Sequence, residues 1–305
     1  MLIDDLERYI TLRRSLGAGL RRARQNLLSF ARFAADRDER HIRAQTAIAW
    51  AAMAPTPGTR HRRLSDLVLA ARFLRAEDPA HEVAPAGLFT TSQTKLIPYI
   101  YSPEELARIL DAAREMQRHE PSAMRRQVFV MLFGLIAATG LRISEALNLR
   151  LSDVLPGGIL HIRQTKFGKS RLVPLHPTVQ EVLDAYLVLR RDVIGPDNHL
   201  FLTARGRGIT YPSVNPAFRN ILRLANIAPG RARRPRIHDL RHSFATRVLE
   251  QDGAGREPVA RRAVALMTYM GHVNPRYTYW YLQATPVLMS GVAAAAEALV
   301  GGDGR

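Results

Sequence analysis

Residues 236–249 read RIHDLRHSFATRVL, and the interpretation of the rest of the chain starts from this stretch. The apolar side chains that recur on a helical period of about 3.6 residues are Leu240, Phe244 and Val248. Arg241 lies beside this stripe, three positions after His238. A guanidinium does not lose its proton, and burying it without an anionic partner is costly. The pattern predicts either a pocket for a phosphate or carboxylate at the start of a helix, or an ion pair of Arg241 with a carboxylate elsewhere in the chain.

The charge of the chain favours a polyanionic partner. Its 305 residues include 44 Lys and Arg against 27 Asp and Glu, which gives a formal net charge of +17. Nucleic acid fits such a surface better than a membrane does. The chain contains no cysteine, which excludes disulfides, thiolate metal sites and cysteine nucleophiles.

No segment of the sequence is suited to spanning a membrane. The longest apolar run, 128–138, is shorter than the roughly 18 residues that a membrane-spanning helix needs. No signal sequence, with a charged segment followed by an apolar one, opens the chain. We therefore expect a globular cytoplasmic protein, long enough for two domains.

Two domains are predicted, 1–95 and 96–305. The first is helical, with amphipathic segments separated by glycine and proline, at residues 4–15, 20–35, 46–53 and 60–76. Arginines cluster near the ends of these segments, at positions 13, 14, 21, 22, 24, 60, 62 and 63. This clustering is expected for a surface that faces a phosphate backbone, although a solvated helix face explains each arginine about as well.

The second domain is predicted to be mainly helical, with one small antiparallel sheet. The segment 122–139 is apolar on most sides, which is typical of a central buried helix, and Gly140 ends it. Residues 159–164 and 171–175 have the pattern of two strands joined by a hairpin turn, and Pro174 predicts an edge strand. The other helical segments are 103–116, 141–147, 177–190, 211–225, 236–249, 259–270, 275–282 and 286–300.

Lysine is rare, so a lysine in the predicted hairpin turn stands out. The lysines of the chain are Lys95, Lys166 and Lys169. Arginine supplies the remaining positive side chains. Lys166 lies at the edge of the turn, where its titratable ammonium could serve a purpose that a guanidinium cannot.

Side chains suited to phosphate binding and proton transfer follow one another along the second domain. They are Arg142, Lys166, His238, Arg241, His272 and Tyr281. Together they offer guanidinium, ammonium, imidazole and phenol groups. No carboxylate cluster or phosphate-binding glycine loop accompanies them in the sequence, so we predict a reaction that needs no metal and no cofactor.

Four motifs resemble the boxes of the tyrosine recombinases, also called the phage integrase family. They are TGLRISEAL (139–147), TKFGKSRLVPL (165–175), HDLRHSFAT (238–246) and MGH (270–272), followed by a tyrosine at 281 − 272 = 9 positions. Four motifs in the right order are far more specific than any one of them. The resemblance implies a mainly α fold (α+β), with a helical N-terminal core-binding domain and a mainly helical catalytic domain that carries the small sheet.

The resemblance also implies a mechanism. Tyr281 would attack a DNA phosphodiester and leave a 3′-phosphotyrosine and a free 5′-hydroxyl. Arg142 and Arg241 would bind the non-bridging oxygens, a task suited to permanently charged, fork-shaped donors. Lys166 would protonate the leaving 5′ oxygen. The two histidines, His238 and His272, would donate hydrogen bonds to the phosphate and help to manage the tyrosine proton.

Several residues have simpler alternative roles. Arg142 could form an ion pair with Glu145 at the start of a helix, and Lys166 could be an ordinary turn residue. His272 could cap the preceding helix. Two other tyrosines, Tyr277 and Tyr279, lie close to the proposed nucleophile, and the spacing from His272 is what selects Tyr281.

The function implied is site-specific recombination of double-stranded DNA, for integration or transposition of a mobile element. Family members act as homotetramers on paired recombination sites, and the two domains are expected to close on the duplex. One alternative is a type IB topoisomerase-like enzyme that relaxes DNA. Another is a basic DNA-binding regulator without catalytic activity, which would have no need for Lys166 and Tyr281 in register.

Overall fold

The computed structural model describes residues 1–89, 97–120, 122–163, 170–193, 197–231, 233–250 and 256–271. The chain divides into two units, Met1–Leu96 and Ile97–Arg305, and each has its own hydrophobic core. The described part is mainly helical and contains one small antiparallel sheet. The fold class predicted from the sequence is therefore confirmed.

Helices build the first unit. They are α1 (Leu2–Ser15), α2 (Arg21–Ala35), α3 (Ala44–Ala52) and α4 (Pro57–Glu77). All contribute to one core, in which Leu6, Phe30, Trp50 and Leu67 are at most 3% exposed. Such short helices are marginal alone, so the burial of these apolar faces is what stabilises them.

Helix α4 begins earlier than the sequence predicts. We expected a helix over residues 60–76, preceded by a turn at Pro57 and Gly58, but Pro57 is the first helical residue. The hydroxyl of Thr56 caps this end by accepting a hydrogen bond from the backbone N–H of Thr59 at 3.2 Å. Proline suits the first helical position because a backbone N–H there would have no partner within the helix.

The second unit is organised around one central helix. Its described helices are α5 (Pro103–Met116), α6 (Ala123–Thr139), α7 (Ile143–Leu147), α8 (Pro177–Arg191), α9 (Tyr211–Leu224), α10 (Ile237–Glu250) and α11 (Arg256–Met270). Helix α6 packs against α5, α8 and α10. Its Leu132 and Phe133 are completely buried, as expected for a helix that is apolar on most sides.

Gly140 ends α6 and brings it close to α10. Its φ of +63° is in the left-handed region, where a side chain would be strained. A Cβ at this position would also clash with the ring of Phe244 on α10. Glycine is therefore required here for two reasons, and the turn it makes leads directly to Arg142.

The sheet consists of short strands in the order β1-β2-β3. They are β1 (Val154–Leu155), β2 (Ile159–Ile162) and β3 (Arg171–Pro174). In the pairing of β2 with β3, Ile159 lies opposite Pro174 and Ile162 lies opposite Arg171. Strand β3 is at the edge of the described sheet, as Pro174 predicts. Strand β1 was not predicted because two residues are too few to show an alternating pattern.

The described helices include none that is long and apolar enough to cross a membrane. Three of the sequence predictions lie outside the described residues. They are the hairpin turn at 165–169 and the helices at 275–282 and 286–300.

Candidate active site

Arg142 is placed by the turn that ends α6 and is the N-cap residue of α7. Its backbone N–H donates to Glu145 Oε2 at 3.0 Å, and its Nη1 donates to Glu145 Oε1 at 2.6 Å. The ion pair considered as an alternative role for Arg142 is therefore present. The side chain of Arg142 is nevertheless 26% exposed, so a ligand can still reach it.

Glu145 is shared with a second arginine, which the sequence analysis did not select. Arg171 is the first residue of β3, and its Nη1 and Nη2 donate to the two carboxylate oxygens of Glu145 at 3.1 and 2.8 Å. Burial alone would raise the pKa of Glu145, but the hydrogen bonds and charges of Arg171 and Arg142 outweigh it and lower the pKa to about 2. One buried carboxylate thus orients two guanidiniums.

Arg241 is buried at the junction of three helices. It is only 1% exposed. Its Nη1 donates to the carbonyl oxygen of Gly140, at the end of α6, and its Nη2 donates to that of Met270, at the end of α11, at 2.9 Å. Backbone carbonyl groups therefore fix the position of this guanidinium, which the sequence placed either in an anion pocket or in an ion pair.

Three successive carbonyl groups at the end of α11 each accept a hydrogen bond from a different arginine. The pairs are Arg171 Nε with Tyr269 O at 2.8 Å, Arg241 Nη2 with Met270 O at 2.9 Å, and Arg142 Nη2 with Gly271 O at 3.4 Å. The C-terminus of a helix has unpaired carbonyl groups and a partial negative charge, so cations are favourable there. The backbone up to Gly271, directly before His272, is held by these bonds.

His238 lies at the start of α10, with its ring 4.7 Å from that of His242 in an edge-to-face arrangement. His238 is exposed to solvent, and neighbouring groups desolvate its ring in part. This desolvation, together with the charges of Arg241 and Arg236, lowers the pKa of His238 to about 4. The imidazole is therefore neutral at pH 7 in the absence of an anionic ligand.

The start of α10 is partly occupied by an anion of the protein itself. The backbone N–H and the Nη2 of Arg236 both donate to the carboxylate of Asp239 at 2.8 Å. Asp239 is 2% exposed. The backbone N–H of Arg236 is therefore engaged with Asp239 and does not contribute to the anion pocket predicted at this helix start.

A cavity of about 640 Å³ opens beside Arg142, between α7 and β2. The basic residues along its wall are Arg142, Arg150, His161, Arg163 and His199. Its carboxylates, Glu145 and Asp153, are both engaged within the protein. Asp153 accepts hydrogen bonds from Arg163 Nε and from the backbone N–H of Arg150. The cavity is therefore suited to an anion.

The structure brings together the predicted site residues that it describes. The charges of Arg142 and Arg241 both act on the pKa of His238, and both arginines bind the end of α11. The predicted site residues outside the described part are Lys166, His272 and Tyr281, together with the alternative tyrosines Tyr277 and Tyr279. Among the described residues, no group of His, Asp and Glu side chains could hold a metal ion.

The sequence gives no clear signal for Arg171, because Leu172 and Val173, which follow it, are both apolar and show no alternation. In the structure Val173 is completely buried and Leu172 is 56% exposed, so Arg171 and Val173 share the inner face of the strand. A charged residue on this face needs a partner, and Glu145, 26 positions away, supplies it.

The sequence matches the model of a known protein family. Residues 100–286 match the model of the phage integrase family, and this match covers more than half of the chain. The chain belongs to the phage integrase family. It is accordingly an enzyme of the tyrosine recombinase class.

Curated relatives match this chain along most of its length. A putative integrase/recombinase of Sinorhizobium fredii, y4rB, is 36% identical over 292 residues, which cover 93% of this chain and 93% of the relative. A second one from the same organism, y4rE, is 33% identical and covers 98% of this chain and 96% of the relative. The tyrosine recombinase XerC of Nitrobacter winogradskyi is 30% identical and covers 72% of this chain and 65% of that protein.

Solved structures share the fold of this chain. The integrase of transposon Tn1549, in complex with transposon right-end DNA, has 19% identity and a TM-score of 0.66, and the match covers 98% of this chain and 100% of that one. XerH recombinase, bound to a palindromic difH substrate, has 21% identity and a TM-score of 0.65 over 92% of this chain and 80% of the other. At these identities the likeness establishes the fold.

Replacing Glu145 by glutamine should destabilise the protein by about 3 kcal/mol at neutral pH, because its pKa of about 2 lies well below the ordinary 4.5. Since the pKa is lower in the folded state, this stabilisation is complete above pH 4.5 and is lost as the pH falls towards 2. Urea unfolding of both proteins at neutral pH and at about pH 3 measures the change. An equal difference at the two pH values would contradict this prediction. Glu120→Gln, in the more exposed pair with Arg125, is the control and should cost less.

An anionic ligand at the site should raise the pKa of His238 from about 4, because its charge offsets that of the surrounding guanidiniums. NMR titration of the histidine Cε1–H signals, with and without a short DNA duplex, measures this change. The signal is assigned by its loss in His238→Gln. A His238 signal that titrates near 6.5 without DNA, or that does not move when DNA is added, would show that the site is not tuned in this way.

Proposed function

We propose that this chain is a site-specific recombinase that cleaves and rejoins duplex DNA through a 3′-phosphotyrosine intermediate. The observation that carries the proposal is the anchoring of Arg142 and Arg241 on neighbouring carbonyl groups at the end of α11. All the predicted site residues lie within the part of the chain that matches the family model. Two guanidiniums fixed in this way suit the non-bridging oxygens of one phosphodiester.

The proposed reaction conserves the phosphodiester bond energy. The Tyr281 oxygen forms a bond to phosphorus while the bond from phosphorus to the 5′ oxygen breaks, and Lys166 gives a proton to the leaving oxygen. The guanidiniums of Arg142 and Arg241 stabilise the additional negative charge on the pentacoordinate phosphorus. Attack of a 5′-hydroxyl on the phosphotyrosine reverses these steps and rejoins the strand.

The low pKa of His238 suits a role in this proton transfer. A neutral imidazole can donate a hydrogen bond to a phosphate oxygen through one nitrogen and accept a proton through the other. Because a bound phosphate raises the pKa of the ring, His238 becomes a better base once DNA is in place. The ordinary pKa of a phenol is about 10, so Tyr281 needs such help at neutral pH. His272 is proposed as a second donor to the phosphate.

Double-stranded DNA is the proposed partner, and residues 1–95 are proposed to be a core-binding domain. The predicted arginine cluster in this region divides into two groups. Arg24 binds Glu7, Arg60 donates to a backbone carbonyl group, and Arg13 and Arg63 lie over the rings of Tyr9 and Trp50. The exposed members of the cluster are Arg14, Arg21, Arg22 and Arg62. The exposed group, together with the basic cavity beside Arg142, supports contacts with the phosphate backbone.

Integration or transposition of a mobile element is the proposed biological role. Relatives over most of the chain are named as putative integrases/recombinases, and a structural neighbour is a transposon integrase bound to transposon DNA. A lambda integrase of the same fold forms a tetramer on a Holliday junction, with a TM-score of 0.63. By analogy, this chain would act in the cytoplasm as a homotetramer on two paired sites.

A nicked duplex that carries the correct recombination site should trap the protein covalently through Tyr281, because loss of the nicked fragment prevents rejoining. The site can be sought in the DNA that flanks the gene. Mass spectrometry of tryptic peptides identifies the tyrosine, and Tyr281→Phe should bind the DNA without cleaving it. Tyr277→Phe and Tyr279→Phe are the matched controls. An adduct on either of these residues would overturn the assignment, and failure of the adduct to form in EDTA would refute metal independence.

Lys166→Ala should lose cleavage activity by about 10²- to 10⁴-fold, the usual effect of losing a general acid. Replacing the bridging 5′ oxygen by sulfur gives a leaving group that needs no proton, so this variant should regain most of its rate. Arg142→Ala should stay slow on the sulfur substrate, because it lacks the guanidinium that stabilises the charge on phosphorus, and a better leaving group does not replace it. If Lys166→Ala is equally slow on both substrates, Lys166 positions the phosphate instead, and Lys169 becomes the candidate for the acid.

A further inference from the structure

We propose that Arg171 is a positioning residue for the cleavage reaction, which acts by holding the carboxylate of Glu145 so that Arg142 stays available to the phosphate. The inference rests on the proposed function, because it concerns the site that would bind the scissile phosphate. Arg171 belongs to neither the predicted catalytic set nor the wall of the cavity beside Arg142.

The charges of the cluster provide the first argument. Arg142 and Glu145 alone would form a neutral pair, and a neutral pair attracts a phosphate poorly. With Arg171 bound to both oxygens of Glu145, the three side chains have a net charge of +1. The Glu145 carboxylate is 5% exposed and is not solvated by water, so its charge has to be balanced by neighbouring cations. Arg171 is one of these cations, so the charge of Arg142 is not fully balanced by Glu145 and can attract a phosphate.

The second argument is the link from β3 to the end of α11. Arg171 Nε donates to the carbonyl oxygen of Tyr269 at 2.8 Å, and the Tyr269 hydroxyl donates to the carbonyl oxygen of Pro174 at 3.2 Å. These two bonds join both ends of the strand to the last turn of the helix. A carbonyl group two residues later, that of Gly271, receives Arg142. Arg171 therefore binds Glu145 directly and also binds the backbone two residues before the carbonyl group that accepts from Arg142.

Gly271 leaves the room that Arg171 needs. Its φ is +66°, and a Cβ there would lie 3.1 Å from Arg171 Nη1. A larger residue at this position would be strained and would press on the guanidinium.

Arg171 is linked to Arg142 through Glu145. Its Nη1 and Nη2 donate to the carboxylate that also accepts from Arg142, and its Nε donates to the backbone at the end of α11. Its proposed role is therefore positioning, and its effect should pass through Arg142. This dependence is what an experiment can measure.

The test compares the single variants Arg171→Gln and Arg142→Ala with the double variant, using the full chain and the nicked duplex. Arg171→Gln should slow cleavage by about 10- to 100-fold, the range expected when a reacting group is misplaced. In the double variant, Arg171→Gln should add almost nothing to the loss caused by Arg142→Ala. Losses that multiply to within about twofold would show independent action and overturn the proposal, as would wild-type rates in Arg171→Gln.

Arg125→Gln is the matched control. Arg125 also binds both oxygens of a carboxylate, that of Glu120, and donates to a backbone carbonyl group, that of Leu202. It lies elsewhere in the same unit, so its replacement tests for general destabilisation and should leave cleavage unchanged. If Arg171→Gln does not fold, Arg171→Lys enters the same comparison, because it keeps a charge but cannot reproduce the three directed bonds.

A second measurement separates this inference from the proposed function. Inorganic phosphate is titrated into the DNA-free proteins and followed at the NMR signal of His238. Arg171→Gln and Arg142→Ala should each weaken phosphate binding, the double variant should be no weaker than Arg142→Ala, and Arg125→Gln should bind as wild type does. If wild type binds phosphate in this pattern but forms no DNA adduct, the proposed function fails and the role of Arg171 stands. If wild type cleaves DNA and Arg171→Gln binds phosphate normally, the role of Arg171 is refuted.

Discussion

The described part of the site depends on one buried carboxylate. Glu145 binds the guanidiniums of Arg142 and Arg171, and its pKa of about 2 keeps it ionised at any pH near neutrality. Removing one partner of a buried ion pair leaves an uncompensated charge, so the three side chains have to be kept together. The arginines in turn hold the last carbonyl groups of α11. The five-residue helix α7, which carries Glu145, is thereby linked to the end of α11, which is distant in the sequence.

Features set by local chemistry could be predicted from the sequence. Gly140 ends α6 because few other residues accept a left-handed conformation. Ser102 and Glu105 form a capping box at the start of α5, a local pattern that residues 102–105 contain within one turn. The order of the motifs was sufficient to predict the family and the mainly helical fold. The assignment of roles to the site residues depends on that resemblance and stays a prediction.

Features that depend on distant parts of the chain could not be predicted. The partner of Arg171 is set by the way β3 meets α7, and no local pattern contains that information. Helix α10 is a similar case. Of the predicted stripe, Leu240 is fully buried, and Phe244 and Val248 are partly buried against the cluster shared with α11. Arg241 and Leu249, which lie beside the stripe, are also buried. Because α10 packs against α6 and also against α11, its buried surface is wider than a single stripe.

The edge of the small sheet limits how copies of the protein can associate. An open edge strand is a template on which another chain can add a strand, and this is a common route to aggregation. In β3, Pro174 has no backbone N–H to donate, and its carbonyl group accepts a hydrogen bond from the Tyr269 hydroxyl. The strand also has only four residues. This edge is therefore a poor template for strand addition. Copies of the protein at high local concentration are therefore protected from joining through β3.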